Sequence, residues 1–101
     1  MTTPVRFTAD EDPEGRTVLA VHGEIDMSNA AEFDQALRAA LERGRPLLVD
    51  LTATGYLDSA ALAVLFEHAS SLSLRIDRTL RTLLSICGLS DLVPVEVVAR
   101  P

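Results

Sequence analysis

The chain has no lysine and no tryptophan, a single cysteine, and four aromatic residues among 101 (three Phe and one Tyr). Each scarcity excludes something. One cysteine, Cys87, rules out an internal disulfide. Without lysine the phosphate-binding pattern G-x-x-x-x-G-K-[ST] cannot occur. No apolar run approaches the ~18 residues of a membrane-spanning helix, so direct membrane insertion is not expected. The opening Met1-Thr2-Thr3-Pro4 has neither the charged nor the apolar region of a signal peptide, and a cytoplasmic location is expected. Cations are in deficit too: nine arginines face fifteen carboxylates, for a net charge of −6. So acidic a chain is repelled by nucleic-acid backbones, and no nucleic-acid partner is expected.

What is present suits one soluble domain. The length fits a single unit, 48% of residues are apolar and 24% charged, and no repeat or low-complexity linker interrupts them. Val5 to Ala9 and Arg16 to Val21 read as two strands around the acidic turn Asp10–Gly15, a hairpin. His22-Gly23-Glu24-Ile25-Asp26 reads as a polar loop. Ser28 or Asn29 then opens a helix, with Asn29 and Glu32 at capping-box spacing. Ala30, Phe33, Leu37, Ala40 and Leu41 form its apolar stripe, and Gly44 ends it. Pro46 to Leu51 reads as a central strand buried on both faces, followed by a loop at Thr52–Gly55.

A second helix starts near Asp58-Ser59, with a stripe of Leu62, Leu65, Phe66 and Ala69. Leu72 to Ile76 alternates as a strand. Asp77 can cap a third helix whose stripe is Leu80, Leu83, Leu84 and Cys87, ended by Gly88; Val93 to Val98 closes as a strand. The order β-β-α-β-α-β-α-β is an α/β pattern with parallel pairs and right-handed crossovers.

The chemistry-bearing segment is Tyr56-Leu57-Asp58-Ser59-Ala60-Ala61-Leu62. A serine at the mouth of a helix meets free backbone N–H groups and the positive end of the helix dipole. A phosphate there would find donors and add roughly −1.5 to −2 charges to the surface. Read locally, the simpler role for Ser59 is a helix N-cap, since serine is a preferred cap wherever helices begin. Other constellations are poorer. His22 and His68 lack Cys or carboxylate partners at metal-ligand spacing, so no metal or cofactor is expected, and His68 beside Glu67 reads as a solvated helix face. Cys87 on its apolar stripe reads as buried and inert. Asp58-Ser59-Ala60-Ala61 lacks the flanking glycines of a hydrolase nucleophile elbow, so no enzyme is expected.

Three ordered blocks resemble the STAS family, specifically its anti-sigma factor antagonists. Val21-His22-Gly23-Glu24-Ile25-Asp26 is similar to the family's L-x-G-E-L-D. Leu47-Leu48-Val49-Asp50-Leu51 running on through Gly55 to Leu62 is similar to a hydrophobic strand followed by D-S-S-G-L, with Ala60 and Ala61 where the family has Ser and Gly. Cys87-Gly88-Leu89-Ser90-Asp91-Leu92 resembles T/S-G-L-x-x-L. The resemblance implies one STAS domain over residues 1–101, a mixed β-sheet of four to five strands packed with three to four helices.

It also implies a bacterial transcription regulator working by partner switching. The partner would be an anti-sigma factor that is also a serine kinase of the histidine-kinase ATPase fold. Unphosphorylated protein would sequester this partner and free a sigma factor. Phosphorylation of Ser59 would weaken binding, and a PP2C-type phosphatase would reverse it. Asp58 would position Ser59, with Glu24 and Asp26 on the rim and Ala60, Ala61 and Leu62 completing the contact surface of a monomeric protein. The form Asp58-Ser59-Ala60-Ala61-Leu62 also resembles small STAS subunits of lipid-transport ABC systems, which would stabilise an ATPase.

Overall fold

The alternation of strand and helix patterns resolves, in a computed structural model describing residues 4–98, into one five-stranded sheet with three α-helices. The sequence runs through β1 (Arg6–Glu11), β2 (Thr17–His22), α1 (Ala30–Arg43), β3 (Leu47–Ala53), α2 (Ser59–Glu67), β4 (Leu72–Asp77), α3 (Arg78–Ile86) and β5 (Val95–Val98). Short 3₁₀ turns at Ala69–Ser71 and Leu89–Asp91 precede β4 and β5. The strands lie in chain order. β1 is antiparallel to β2, and β2 to β5 are mutually parallel. This is the expected mixed sheet and element order. Residues 1–3 and 99–101 of the expected 1–101 domain lie outside the described residues.

Right-handed crossovers between strands laid down in one direction put every connecting helix on the same side. The burial pattern agrees. Leu19 and Val21 of β2, Leu47, Val49 and Leu51 of β3, and Leu72, Leu74 and Ile76 of β4 share one apolar cluster with Phe33, Leu37, Leu65, Leu80 and Leu84 of the helices. Strand side chains alternate between faces, so this cluster occupies a single face of the sheet. Phe7 of β1 stacks on Phe33 with ring centroids 6.0 Å apart.

The expectation that β3 is buried on both faces is therefore corrected. On its second face only Leu48 is buried, while Asp50 and Thr52 are half-exposed. That uncovered face is satisfied by charge: Asp50, Arg75 and Glu96 lie opposite one another on β3, β4 and β5. Arg75 reaches Asp50 at 3.8 Å and Glu96 at 3.5 Å.

Several boundaries move. β1 extends through Asp10 and Glu11, so the turn is only Asp12–Gly15, closed by Asp12 accepting from the Arg16 N–H at 2.8 Å. β3 continues through Thr52 and Ala53, and β5 starts at Val95 rather than Val93. The stripe of α1 is as expected. In α2 the buried residues are Ala61 and Leu65, with Phe66 turned outward at 37% exposure. Leu62, Leu65 and Ala69 of the expected stripe do pack against the core; Ala61 and Val64 join them, and Phe66 alone leaves it. Cys87 is half-exposed, its Sγ 3.6 Å from the Leu84 carbonyl, rather than buried.

Two helix ends show why glycine is there. Gly88 follows α3 at φ +86°, the left-handed conformation a side chain resists. Gly44 after α1 is extended, so it is not a left-handed cap. A Cβ there would lie 2.8 Å from Thr17 Oγ1, and close approach is the reason for the glycine.

Candidate functional site

The site is built where β2 and β3 end side by side. Thr54, buried just past β3, donates its hydroxyl to the Val21 carbonyl at 3.1 Å, and Gly23 N–H donates to the Ala53 carbonyl at 3.3 Å. Beyond them the two segments stay zipped by a parallel bridge between Ile25 and Leu57. Ile25 N–H donates to the Tyr56 carbonyl at 3.3 Å, and Asp58 N–H donates to the Ile25 carbonyl at 3.2 Å. Both bridge side chains are buried. The segment expected to be a polar loop thus has an apolar anchor. Glu24 and Asp26, flanking that anchor, adjoin Tyr56, Leu57 and Asp58.

Asp58 is the N-cap of α2: its backbone is extended and its Oδ1 accepts from the Ala61 N–H at 3.0 Å. Ser59 is therefore not the cap. It is the first helical residue, exposed, and its hydroxyl makes no hydrogen bond with a described residue. A carboxylate one residue earlier satisfies the donor that a capping serine would have used, which leaves the Ser59 Oγ facing solvent beside the helix's positive end. Ala60 and Leu62 are half-buried. Ala61 is fully buried in the core, so it offers no contact surface of its own.

The loop before α1 is braced separately. Asn29 does not form the expected capping box, and its side chain makes no cap hydrogen bond. It turns back instead: its Oδ1 accepts from the Asp26 N–H at 2.9 Å, and its Nδ2 donates to the Glu24 carbonyl at 3.1 Å. Asp26 Oδ1 accepts from the Ser28 N–H at 2.8 Å and from the Ser28 hydroxyl. The hydroxyl, then the N–H, holds the Asp26 carboxyl below the usual carboxylate range, so it is ionised at neutral pH. A groove of about 760 Å³ runs beside this loop, with Glu24, Asp26 and Glu32 in its lining; Asp58 and Ser59 lie outside it.

Each of the two bridged segments also carries a large exposed apolar side chain, of which only Tyr56 belongs to a motif singled out in the sequence. Met27 is 82% exposed and Tyr56 is 52% exposed, one in each of the two zipped segments. For Met27 the only sequence signal was an apolar residue inside a polar loop. Large exposed apolar groups next to charged rims are a common feature of protein-binding surfaces.

At the other end of α2, His68 is not on a solvated face. Its side chain is 15% exposed, and its Nε2 lies 2.7 Å from Asp34 Oδ1 of α1. Arg38 Nε donates to the other oxygen, Asp34 Oδ2, at 2.8 Å, and Arg38 also reaches Glu67 at 3.5 Å. The His68 hydrogen bond, assisted by Arg38, holds the Asp34 carboxyl below its usual range. Asp34, Glu67 and His68 bring ligand-type atoms within 4.8 Å of one another, a grouping their sequence positions did not suggest. Both oxygens of Asp34 are already engaged, and a guanidinium lies among the carboxylates. The cluster is a closed ion-pair network, not a donor set for a cation.

A family model described as "Mlab, STAS domain" matches residues 8–94, and the chain belongs to the STAS domain family. Among solved structures, an anti-sigma factor antagonist from Mycobacterium paratuberculosis is 26% identical. It aligns over 95% of this chain and 90% of its own, with a TM-score of 0.81. A candidate anti-sigma factor antagonist from Thermotoga maritima is 17% identical over 94% of this chain and 86% of its own, TM-score 0.68. The anti-sigma factor antagonist SpoIIAA in its unphosphorylated form is 13% identical over 95% of this chain and 89% of its own, TM-score 0.63. The last two establish the fold, which is SpoIIAA-like. Sequence comparison with curated proteins finds no match. No helix among the described residues is long and apolar enough to cross a membrane.

Proposed function

We propose that this protein is an anti-sigma factor antagonist, a binding module rather than an enzyme, switched by phosphorylation of Ser59. The supporting observation is the division of labour at α2: Asp58 caps the helix, which leaves the adjacent Ser59 hydroxyl exposed and uncommitted. Unphosphorylated protein binds an anti-sigma factor that is also a serine kinase of the histidine-kinase ATPase fold, and a sigma factor is released. The contact surface comprises Asp58, Ser59, Ala60, Leu62, Glu24 and Asp26, with Met27 and Tyr56 as its apolar groups. Phosphate at Ser59 adds charge beside Asp58 and disrupts that surface by repulsion and desolvation. A PP2C-type phosphatase restores binding. The protein acts as a cytoplasmic monomer without cofactor. The similarity to the Mycobacterium paratuberculosis antagonist favours this reading.

The test is tandem mass spectrometry of the tagged protein purified from its host, with Ser59→Ala and Ser59→Glu alongside. The reading requires phosphate on Ser59, an ATPase-fold kinase or anti-sigma factor retained by Ser59→Ala, and its loss from Ser59→Glu. If all three proteins retain the same partners and Ser59 is unmodified, the switch is wrong.

A second reading is a STAS subunit that stabilises the ATPase of a lipid-transport ABC system. One observation favours it: the Ala60-Ala61 pair after Asp58-Ser59. Transporter ATPase and permease subunits in the same purification would select it.

A further inference from the structure

Helix α2 is lightly held. Of its nine residues only Ala61 and Leu65 are buried, with Leu62 and Val64 half-buried against the same core, while α1 buries five. Its start is pinned by the Ile25–Leu57 bridge and the Asp58 cap. At its far end the chain is held by His68, the residue that ends the helix, against Asp34 of α1. A carboxylate only accepts, so the proton of this 2.7 Å contact resides on His68 Nε2. The hydrogen bond is charge-assisted and mostly shielded from water, the strong kind. Glu67 meets Arg38 at 3.5 Å, and Arg38 meets the second oxygen of Asp34. Two fixed ends define a helix axis, and α1 braces both halves of the site: through Asn29 it holds Glu24 and Asp26, and through Asp34 it holds the end of α2.

We propose that the Asp34–His68 hydrogen bond is a positioning contact that sets the orientation of α2, and with it the presentation of Ser59 to a partner. The contact is local to α1 and α2, so its loss loosens α2 without loosening β3 or α3. The second half of this statement rests on the reading of Ser59 given above; the first does not.

Amide hydrogen exchange on the unmodified protein tests the contact. In His68→Ala and Asp34→Ala, the α2 amides should exchange faster by on the order of tenfold, the effect of losing one charge-assisted hydrogen bond. Amides of β3 and α3 should keep their wild-type rates. His68→Gln, which retains a side-chain N–H donor, should restore most of the protection. The wild-type His68 ring should give the nitrogen NMR signature of the Nε2–H tautomer, and Asp34→Ala should abolish it. Unchanged α2 exchange, a uniform increase across the sheet, or failure of Gln to rescue would overturn the proposal. A second arm compares Ser59 phosphate occupancy in the host for wild type and His68→Ala. Occupancy in wild type that is unaltered by His68→Ala refutes the link to presentation. Absence of phosphate from both refutes the reading of Ser59 while the exchange data still decide the contact.

Discussion

Ile25 and Leu57 form a parallel bridge beyond the ends of β2 and β3, and this one pairing brings Glu24 and Asp26 alongside Tyr56 and Asp58. The two side chains are buried while their neighbours Glu24, Met27 and Tyr56 are exposed. A buried apolar residue in each segment holds a polar, solvent-facing rim in register.

Ile25→Ala should therefore cost stability and site geometry together. Truncating a fully buried Ile costs about 2–5 kcal/mol. Urea unfolding should show a lower midpoint, and amide shifts of residues 56–60 should move more than those of β4 or β5. A loss confined to stability would mean that the bridge does not organise the rim.

Asp58→Ala should destabilise by about 1 kcal/mol, the cost of a lost N-cap. Asp58→Ser or Asp58→Asn should recover most of it. Ser59→Ala should be close to neutral by the same unfolding measurement, because Asp58 does the capping. Equal losses at both positions would show that Ser59 shares the cap.

Gly44→Ala should destabilise although its backbone is extended and open to any residue, because the new methyl lies 2.8 Å from Thr17 Oγ1. Overpacking of this kind costs roughly 1–3 kcal/mol. In a Thr17→Ala background the penalty should shrink, which a double-mutant cycle measures directly. An unchanged penalty would place its cause in the backbone.

Acid should weaken the α1–α2 junction through Asp34. Its folded pKa is lowered, first by the His68 hydrogen bond. The stability it contributes is complete above the unfolded value of about 3.9 and is lost as pH falls through the folded value. Asp34→Asn should lower stability at neutral pH, and its stability should fall less steeply than wild type as the pH drops from about 5 toward 3. Parallel curves for the two proteins would show that Asp34 titrates alike in both states.

Phe66→Gln should cost under about 1 kcal/mol, while Leu65→Ala should cost about 2–5. Thermal unfolding of the pair checks the face that α2 presents to the core. A large loss at Phe66 would restore the stripe that its spacing predicts.

Much of this protein was legible in its residues. The strand and helix order follows from apolar periodicity, and the end of α3 follows from Gly88, because these signals act within a few residues of the chain. The site segment Asp58-Ser59 was legible for the same reason: cap chemistry is local. What depended on the tertiary structure was every feature formed between distant segments. Asn29 abandons its capping box for Glu24 and Asp26, because the bridged loop presents a free N–H and carbonyl to it. Phe66 faces solvent because α2 turns Ala61 and Leu65 into the core, with Leu62 and Val64 half-buried beside them, which leaves Phe66 at the outer edge of the packed face. His68 leaves the solvated face it was assigned because α1 brings Asp34 to it. Only the packed chain decides which polar groups meet, since hydrogen bonds between elements depend on ångström-scale placement that no residue spacing encodes.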